Sequence, residues 1–416
     1  MLLQMMKCFV TVIICLVFSL VAIGQTKSID HFIGKALLNS PLLKDLSNQQ
    51  LSLNVDSQIL RASLKPQVSA NSNDLYAPVI NGYGYDGAIT NGAQVSALVT
   101  VSKDFVSRAT LATKIKDLLL QQQIAANNGA ITEQDIKKMI IDQYLVTYGE
   151  QLQIGFTMQV NTLLTAEDSL LKDLTRRTVY RQTDYLLFVV SRQQQVLSVS
   201  QQQAQYNADY ALLNYMAGIN DTAIYRLADP SLNVADSMNL TGSVFYKQFE
   251  LDSLKLVNDK AMVDINYHPR ISAFMDAGYN SSLVYQAGRN FGTSAGLGFT
   301  VPIYDGKQRR MQYKKIDLQE NTRQAQRDFF LQQRSQQLAQ LIRQIKDLEE
   351  LIPQIESQVK YTETLITSHL KLMETGDVRL QDFVLSLNNY LQAKNLLTQN
   401  YIDRLKVINQ INYWKR

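Results

Sequence analysis

Cysteine is nearly absent from this 416-residue chain: there are two, Cys8 and Cys15. Both fall in a stretch that reads as a secretory leader, with Lys7 as its positive end, an apolar core from Phe9 to Ala22, and the small-x-small site Ala22-Ile23-Gly24. Cleavage is expected after Gly24, and neither cysteine has the small-residue context of a lipid-anchor site. The apolar core is short for a membrane-spanning helix, which needs about 20 residues. The chain beyond the leader therefore has no disulfide, no thiolate metal site and no cysteine nucleophile. An excess of one charge is lacking too. The formal net charge of +4 falls to +3 once Lys7 leaves with the leader, too little to indicate a nucleic-acid partner. Long apolar runs are also missing: beyond the leader no window of about 18 apolar residues occurs, which excludes a helical membrane protein. A membrane β-barrel is not excluded, because strands of about 10 alternating residues barely register in hydropathy.

Catalytic signatures are equally scarce. The three histidines, His31, His268 and His369, have no metal-ligand partner at helical spacing and read as surface or packing residues. Gly82-Tyr83-Gly84-Tyr85-Asp86-Gly87 spells a dinucleotide-binding pattern, but it lies between two strand candidates and reads better as a tyrosine- and glycine-rich surface turn. There is no phosphate-loop glycine ahead of Gly34-Lys35 and no Gly-x-Ser-x-Gly elbow. An enzyme is not indicated, and no cofactor is called for.

What the chain does contain is itself, twice. Pro66-Gln67-Val68-Ser69-Ala70 returns as Pro269-Arg270-Ile271-Ser272-Ala273, and Thr100-Val101-Ser102 as Thr300-Val301-Pro302. Thr178-Val179-Tyr180-Arg181-Gln182-Thr183-Asp184-Tyr185 returns as Gly376-Asp377-Val378-Arg379-Leu380-Gln381-Asp382-Phe383. The offsets of 203, 200 and 198 make the halves collinear, so this is a duplicated, domain-sized element and no short solenoid unit.

Each half opens with a helix, and in the first half the leucines 37, 38, 42, 46, 53 and 60 mark one over 29–63 that ends before Pro66. Strands are expected at about 67–76 and 92–102, and again at about 270–280 and 291–302. In the last of these, Phe291, Thr293, Ala295, Leu297, Phe299 and Val301 alternate with Gly292, Ser294, Gly296, Gly298 and Thr300. A glycine row of this kind suits a curved, closed sheet, although the alternation alone also fits a sandwich strand with one solvated face.

After each strand pair the period changes to about 3.5, giving long helices over 104–177 and 305–375, then shorter ones over 180–217 and 380–414. The second long helix would reach roughly 105 Å if continuous. In it Leu338, Leu341, Ile345, Leu348, Ile352, Ile355 and Val359 form a heptad seam, and Pro353 is expected to kink or loosen one turn. In the first, Ile141, Leu145, Tyr148 and Leu152 keep the spacing, and Asn127-Asn128-Gly129 with Thr132 and Asp135 after it predicts a bend or restart. The organisation expected is a leader (1–24), a first repeat (25–217), a connector (218–243) and a second repeat (244–416). Among the 21 tyrosines, Tyr279, Tyr285 and Tyr304 fall near strand ends, where membrane girdles form, whereas Tyr144, Tyr148, Tyr390 and Tyr401 have core spacing on helices.

Three segments carry a family likeness. They are the junction Val301-Pro302-Ile303-Tyr304-Asp305-Gly306-Lys307-Gln308-Arg309-Arg310, the helix-turn-helix from Tyr361 to Phe383, and the opening Leu37-Leu38-Asn39-Ser40-Pro41. With the repeated order of strand pair, long helix, turn and shorter helix, the chain resembles the TolC-type outer-membrane efflux proteins over nearly its whole length. The resemblance implies a mixed, mainly α fold. Three chains would form a 12-stranded β-barrel in the outer membrane, continuous with a periplasmic α-helical coiled-coil tunnel. It implies a passive conduit in a tripartite efflux or type I secretion system, with a periplasmic adaptor and an inner-membrane transporter as partners.

The resemblance also places the tunnel end and the adaptor-docking surface at Arg181, Asp184, Tyr185, Gly376, Asp377, Arg379, Asp382 and Phe383, and the strand-to-helix junction at Pro302, Asp305 and Gly306. The arginines and aspartates would pair to hold the end shut. Ordinary helix capping and solvated arginine is the simpler account of any one of them. The first half departs from the pattern, with Thr178 in place of Gly376 and no Pro or Gly in Ser102-Lys103-Asp104-Phe105. The rival reading is a trimeric coiled-coil stalk or adhesin anchored in the outer membrane. A stalk has no reason to return with a second strand pair.

Overall fold

The computed structural model describes residues 26–235, 242–283 and 286–415. The leader, with Lys7, Cys8 and Cys15, and the strand-end Tyr285 lie outside the described residues. The elements are α1 (Ile29–Asn39), α2 (Pro41–Ser63), β1 (Gln67–Tyr76), the single turn α3 (Gly87–Thr90), β2 (Ala93–Phe105), α4 (Arg108–Arg176), α5 (Gln182–Met216), α6 (Val244–Ile265), β3 (Arg270–Ser281), β4 (Phe291–Thr300), α7 (Gln308–Thr375) and α8 (Leu380–Lys415). They divide into two compact units. One holds residues 45–129 and 244–329, the other those up to 44, 130–243 and 330–416.

The first unit contains the sheet, with order β1-β2-β3-β4 and every neighbour antiparallel. β1 and β3 both begin directly after a proline (Pro66, Pro269), whose predecessor is driven out of helical conformation. Register fixes the two faces, since directly opposed residues share one. Val68, Val101, Met275 and Ala295 stand in one row, and Ile271 opposes Phe299 further along the same face. This apolar face is bare: Leu297 is 81 % exposed and Phe299 69 %. The opposite face carries Asn71, Thr100, Asp276, Ser294 and the β4 glycines.

β2 runs on to Phe105, further than the 102 expected, and α4 starts at Arg108 rather than 104. β4 stops at Thr300, because Pro302 has no N–H to offer a ladder. Asp86, in the glycine- and tyrosine-rich loop, caps α3 by accepting the Ala88 N–H at 2.8 Å.

In the helical unit, aromatic and aliphatic side chains of α1, α4, α5 and α8 (Phe32, Tyr144, Leu145, Tyr210, Leu213, Leu405) form one buried cluster. Each such side chain stabilises by about 1.5–3 kcal/mol when fully buried. Every residue of the heptad seam from Leu338 to Val359 is buried or half-buried, and α7 continues through Pro353. Tyr144 and Tyr148 are core residues, while Tyr390 and Tyr401 pack partly buried against clusters.

The segment 218–235 is neither helix nor strand, and side chains bond its main chain. The Tyr144 hydroxyl lies 2.7 Å from Ala228 O and 3.0 Å from Lys27 O. Gln151 accepts the Leu227 N–H at 2.7 Å and donates to Leu227 O at 3.0 Å. Asn412 accepts the Ala235 N–H at 2.8 Å and donates to Asn233 O at 2.8 Å. Asn39 donates to Gly218 O at 2.9 Å, and Lys27 N–H donates to Arg226 O at 2.9 Å.

Two expectations change. The helix over 29–63 is two helices, because Ser40 is extended (φ −65°, ψ 115°) before Pro41, which takes the first helical position. The bend at Asn127-Asn128-Gly129 does not occur, and α4 is continuous over 69 residues. Asn127 is buried, and its amide donates to Val244 O and to Gln248 Oε1, both at 3.0 Å, so its polar group is used without leaving the helix. Asp135 caps nothing there; it accepts the Tyr413 hydroxyl at 2.6 Å.

Asn127→Ala is therefore expected to cost about 1–3 kcal/mol by leaving Val244 O and Gln248 unpartnered. The exposed Asn128→Ala should be near neutral. Denaturation midpoints of the two variants check this.

Candidate functional site at the paired helix turns

The two turns, 177–181 between α4 and α5 and 376–379 between α7 and α8, both belong to the helical unit. They close in the same way. At the first, Val179 N–H reaches back to Leu174 O and Thr178 N–H to Thr175 O, each at 3.0 Å. At the second, Asp377 N–H bonds Leu372 O at 3.0 Å and Gly376 N–H bonds Met373 O at 3.3 Å. This is the left-handed helix C-cap, which needs a positive φ at its pivot. Gly376 has φ +80° and Thr178 has φ +64°, so the threonine adopts the glycine conformation despite its branched Cβ. The turns also touch: a Cβ on Gly376 would lie 2.4 Å from Val179 Cγ1. Glycine is needed at 376 for space as well as for φ.

Beneath them lies a second buried cluster that includes Leu164, Leu171, Phe188, Met373, Leu380 and Phe383. The Tyr180 hydroxyl crosses between the turns to Met373 O at 3.2 Å.

The residues implied at the tunnel end separate by environment. Arg181 and Arg379 each hold the position before a helix, where their carbonyls accept the N–H groups of Asp184 and Tyr185, and of Asp382 and Phe383. Both arginine side chains are exposed, and among the described residues neither forms an ion pair within the chain. Asp184 and Asp382 lie in first turns, where the helix N-terminus favours negative charge. Asp377 accepts the Thr375 hydroxyl at 2.6 Å.

Phe383 is fully buried, so it supports the turn from below and offers no surface. Its counterpart Tyr185 donates to Asp168 Oδ1 at 3.2 Å, and Arg192 lies 3.0 Å from Asp168 Oδ2. Burial, then the neighbouring Asp168 carboxylate, raises the Tyr185 hydroxyl pKa above its ordinary value. Burial and then Glu374 likewise raise Glu167. Asp168, Arg192, Glu167 and Val179 were missed in the sequence. Their partners sit on other helices, and no local spacing announces them.

In the strand-bearing unit, Asp305 caps α7, accepting the N–H groups of Lys307 and Arg309, both at 2.8 Å. Those bonds, with one from the Tyr267 hydroxyl, hold its carboxyl below the usual range. Gly306 supplies a left-handed residue (φ +63°) and Pro302 ends the strand. Asp264 receives the Tyr313 hydroxyl and the Arg309 guanidinium, whose Nε is 3.1 Å away; Tyr313 first and Arg309 second depress its pKa. The first half reaches the same end by other means, with Ser107 Oγ accepting the Thr110 N–H at 3.0 Å.

The fold these elements define is that of the TolC-type outer-membrane channels. Among solved structures, the outer membrane protein VceC of Vibrio cholerae matches with a TM-score of 0.73 at 12 % identity, over 93 % of this chain and 96 % of that one. The transmembrane channel CusC matches at 0.76 and 10 %, over 94 % and 92 %. The MtrE outer membrane channel of Neisseria gonorrhoeae matches at 0.70 and 11 %, over 93 % and 88 %. No protein-family model and no curated protein matches the sequence.

Replacing Thr178 with Gly is expected to stabilise its turn by about 1 kcal/mol, the cost of a left-handed β-branched residue. Gly376→Ala should destabilise by more, because its methyl meets Val179. Hydrogen exchange of the amides at 174–182 and 372–383 reads both effects.

Proposed function

We propose that the chain is the outer-membrane channel component of a tripartite efflux or type I secretion system. The observation that carries this reading is the sheet. Its apolar face is uncovered, with Val68, Met275, Leu297 and Phe299 all exposed. Among the described residues its edges, β1 and β4, each keep one row of main-chain groups without a strand partner. Water tolerates an open edge, whereas the hydrocarbon of a bilayer does not, since each unsatisfied group there costs several kcal/mol. Pairing β4 of one copy with β1 of the next satisfies both rows, and three copies close a 12-stranded barrel of ordinary size. Tyr76 and the Tyr279–Phe291 pair (ring centroids 5.3 Å apart) would form one aromatic girdle, and Phe105 and Tyr304 the other. The fold shared with VceC, CusC and MtrE supports the same reading.

In this reading the leader is residues 1–24 and directs export to the outer membrane, and 25–217 and 244–416 are the two repeats about the connector 218–243. Three sets of helices form the periplasmic tunnel, which ends at the paired turns. A periplasmic adaptor docks there, and an inner-membrane transporter supplies the energy. The exposed Arg181 and Arg379, without an ion pair among the described residues, are available to neighbouring copies. The stalk reading leaves both the exposed apolar face and the second strand pair without a purpose.

Electron microscopy of detergent-purified protein should show particles of three chains, and planar bilayers should show conductance; a monomer, or a rod without a barrel, would sink the proposal. Serine in place of both Arg181 and Arg379 should raise single-channel conductance if those arginines hold the tunnel end shut. Unchanged conductance would reduce them to solvated helix starts.

A further inference from the structure

We propose that Phe274 and Asp276 form a binding station for lipophilic organic cations on the polar face of the sheet. The proposal rests on the conduit reading, in which that face lines the lumen.

Phe274 is the one aromatic among the strand residues of this face, which otherwise carries mostly Ser, Thr, Asn and Gly with Leu75 and Leu98. By register it stands opposite Gly296 on β4. A Cβ on Gly296 would lie 2.5 Å from Phe274 Cζ and 2.7 Å from Cε1, so the ring lies across the strand in space that only glycine leaves. It is nonetheless 40 % exposed, so the ring is held at the wall without being buried.

Asp276 comes two residues later, on the same face and about 7 Å along the strand. Its carboxylate accepts a hydrogen bond from Ser294 Oγ at 3.2 Å, which keeps it beside β4, next to the ring.

No basic side chain stands near Asp276 among the strand residues of this face. Among the strand residues on this face the other formal charges are Arg270 and Asp104, at the far end of the sheet, where Arg270 opposes Thr300 and Asp104 opposes Ser272. Arg270 is six residues from Asp276, about 20 Å along an extended strand and beyond the screening length of physiological salt. Between the two ends the face is neutral apart from Asp276.

An accessible aromatic ring beside an unpaired carboxylate is recognition chemistry for an ammonium ion with hydrocarbon arms: the ring takes the charge and the arms, the carboxylate the remaining charge. A metal cation would use the aspartate and leave the ring unexplained. An anion would meet the carboxylate's repulsion. Three copies would place three such stations at one height.

Planar-bilayer recordings of the purified trimer test this, with a KCl gradient to read ion preference and tetrabutylammonium as the blocking probe. Wild-type current should be blocked, and Phe274→Tyr, which keeps a ring, should be blocked equally. Phe274→Leu covers the same glycine without a π face and should raise the half-blocking concentration about fivefold, the worth of one exposed cation–π contact. Asp276→Asn should raise it too, and should move the reversal potential towards the anion side. That substitution is nearly isosteric at an exposed position, so it still gives a readout should the leucine variant fail to assemble.

Block unaltered in both Phe274→Leu and Asp276→Asn would overturn the proposal. Loss of block on Asp276→Asn alone, with Phe274→Leu blocked like wild type, would overturn it as well and leave a plain electrostatic effect. Wild-type trimer that inserts without conducting would overturn the conduit reading, and this inference with it.

Discussion

The constraint on which this structure depends is that every main-chain N–H and C=O needs a partner. Helices and ladders meet it for most of the chain. The connector 218–235 has neither, so Tyr144, Gln151, Asn39 and Asn412 supply the bonds from surrounding helices. In α4 these long side chains, Tyr144 and Gln151, each stand one residue before a seam leucine, Leu145 and Leu152. Among the described residues, the sheet edges are where the constraint is left open.

Duplication has left two solutions to each local problem. At the strand-to-helix junction, the second half uses Asp305, Gly306 and the Asp264–Arg309–Tyr313 group, while the first manages with Ser107. At the turns, Gly376 and Thr178 share one backbone conformation, but only the glycine has a neighbour where its side chain would be. The threonine is tolerated because its Cβ is on the open side. The halves are thus alike in backbone and unlike in which side chains maintain it.

The repeat, the strand alternation and the seam from Leu338 to Val359 were legible in the sequence, since period and burial are one fact in a helix or a strand. The break at Ser40 was also written there, as an N-cap serine before proline, but leucine spacing on both sides outweighed it. Asn127 could not be read locally: Asn-Asn-Gly signals a break, and the group that cancels the signal, Val244 O, is 117 residues away. The same holds at the turns. Arg181, Asp184, Arg379 and Asp382 stand where the repeat puts them, but the Asp168–Arg192 pair and the contact of Val179 with Gly376 join helices whose proximity no spacing reveals.

The β4 glycines carry a geometric consequence. On the polar face the first strand presents Gln67, Asn71 and Asn73, whereas the fourth presents Gly292, Gly296 and Gly298 among Ser294 and Thr300. The room over two of those glycines is already taken from β3: the Phe274 ring lies over Gly296 and the Ser272 hydroxyl over Gly298. In a barrel closed from three such sheets, β3 would therefore furnish the wall over β4 as well as its own. A side chain added at Gly296 or Gly298 would push the one above it towards the axis, so the strand with the least bulk would set how wide a solute passes.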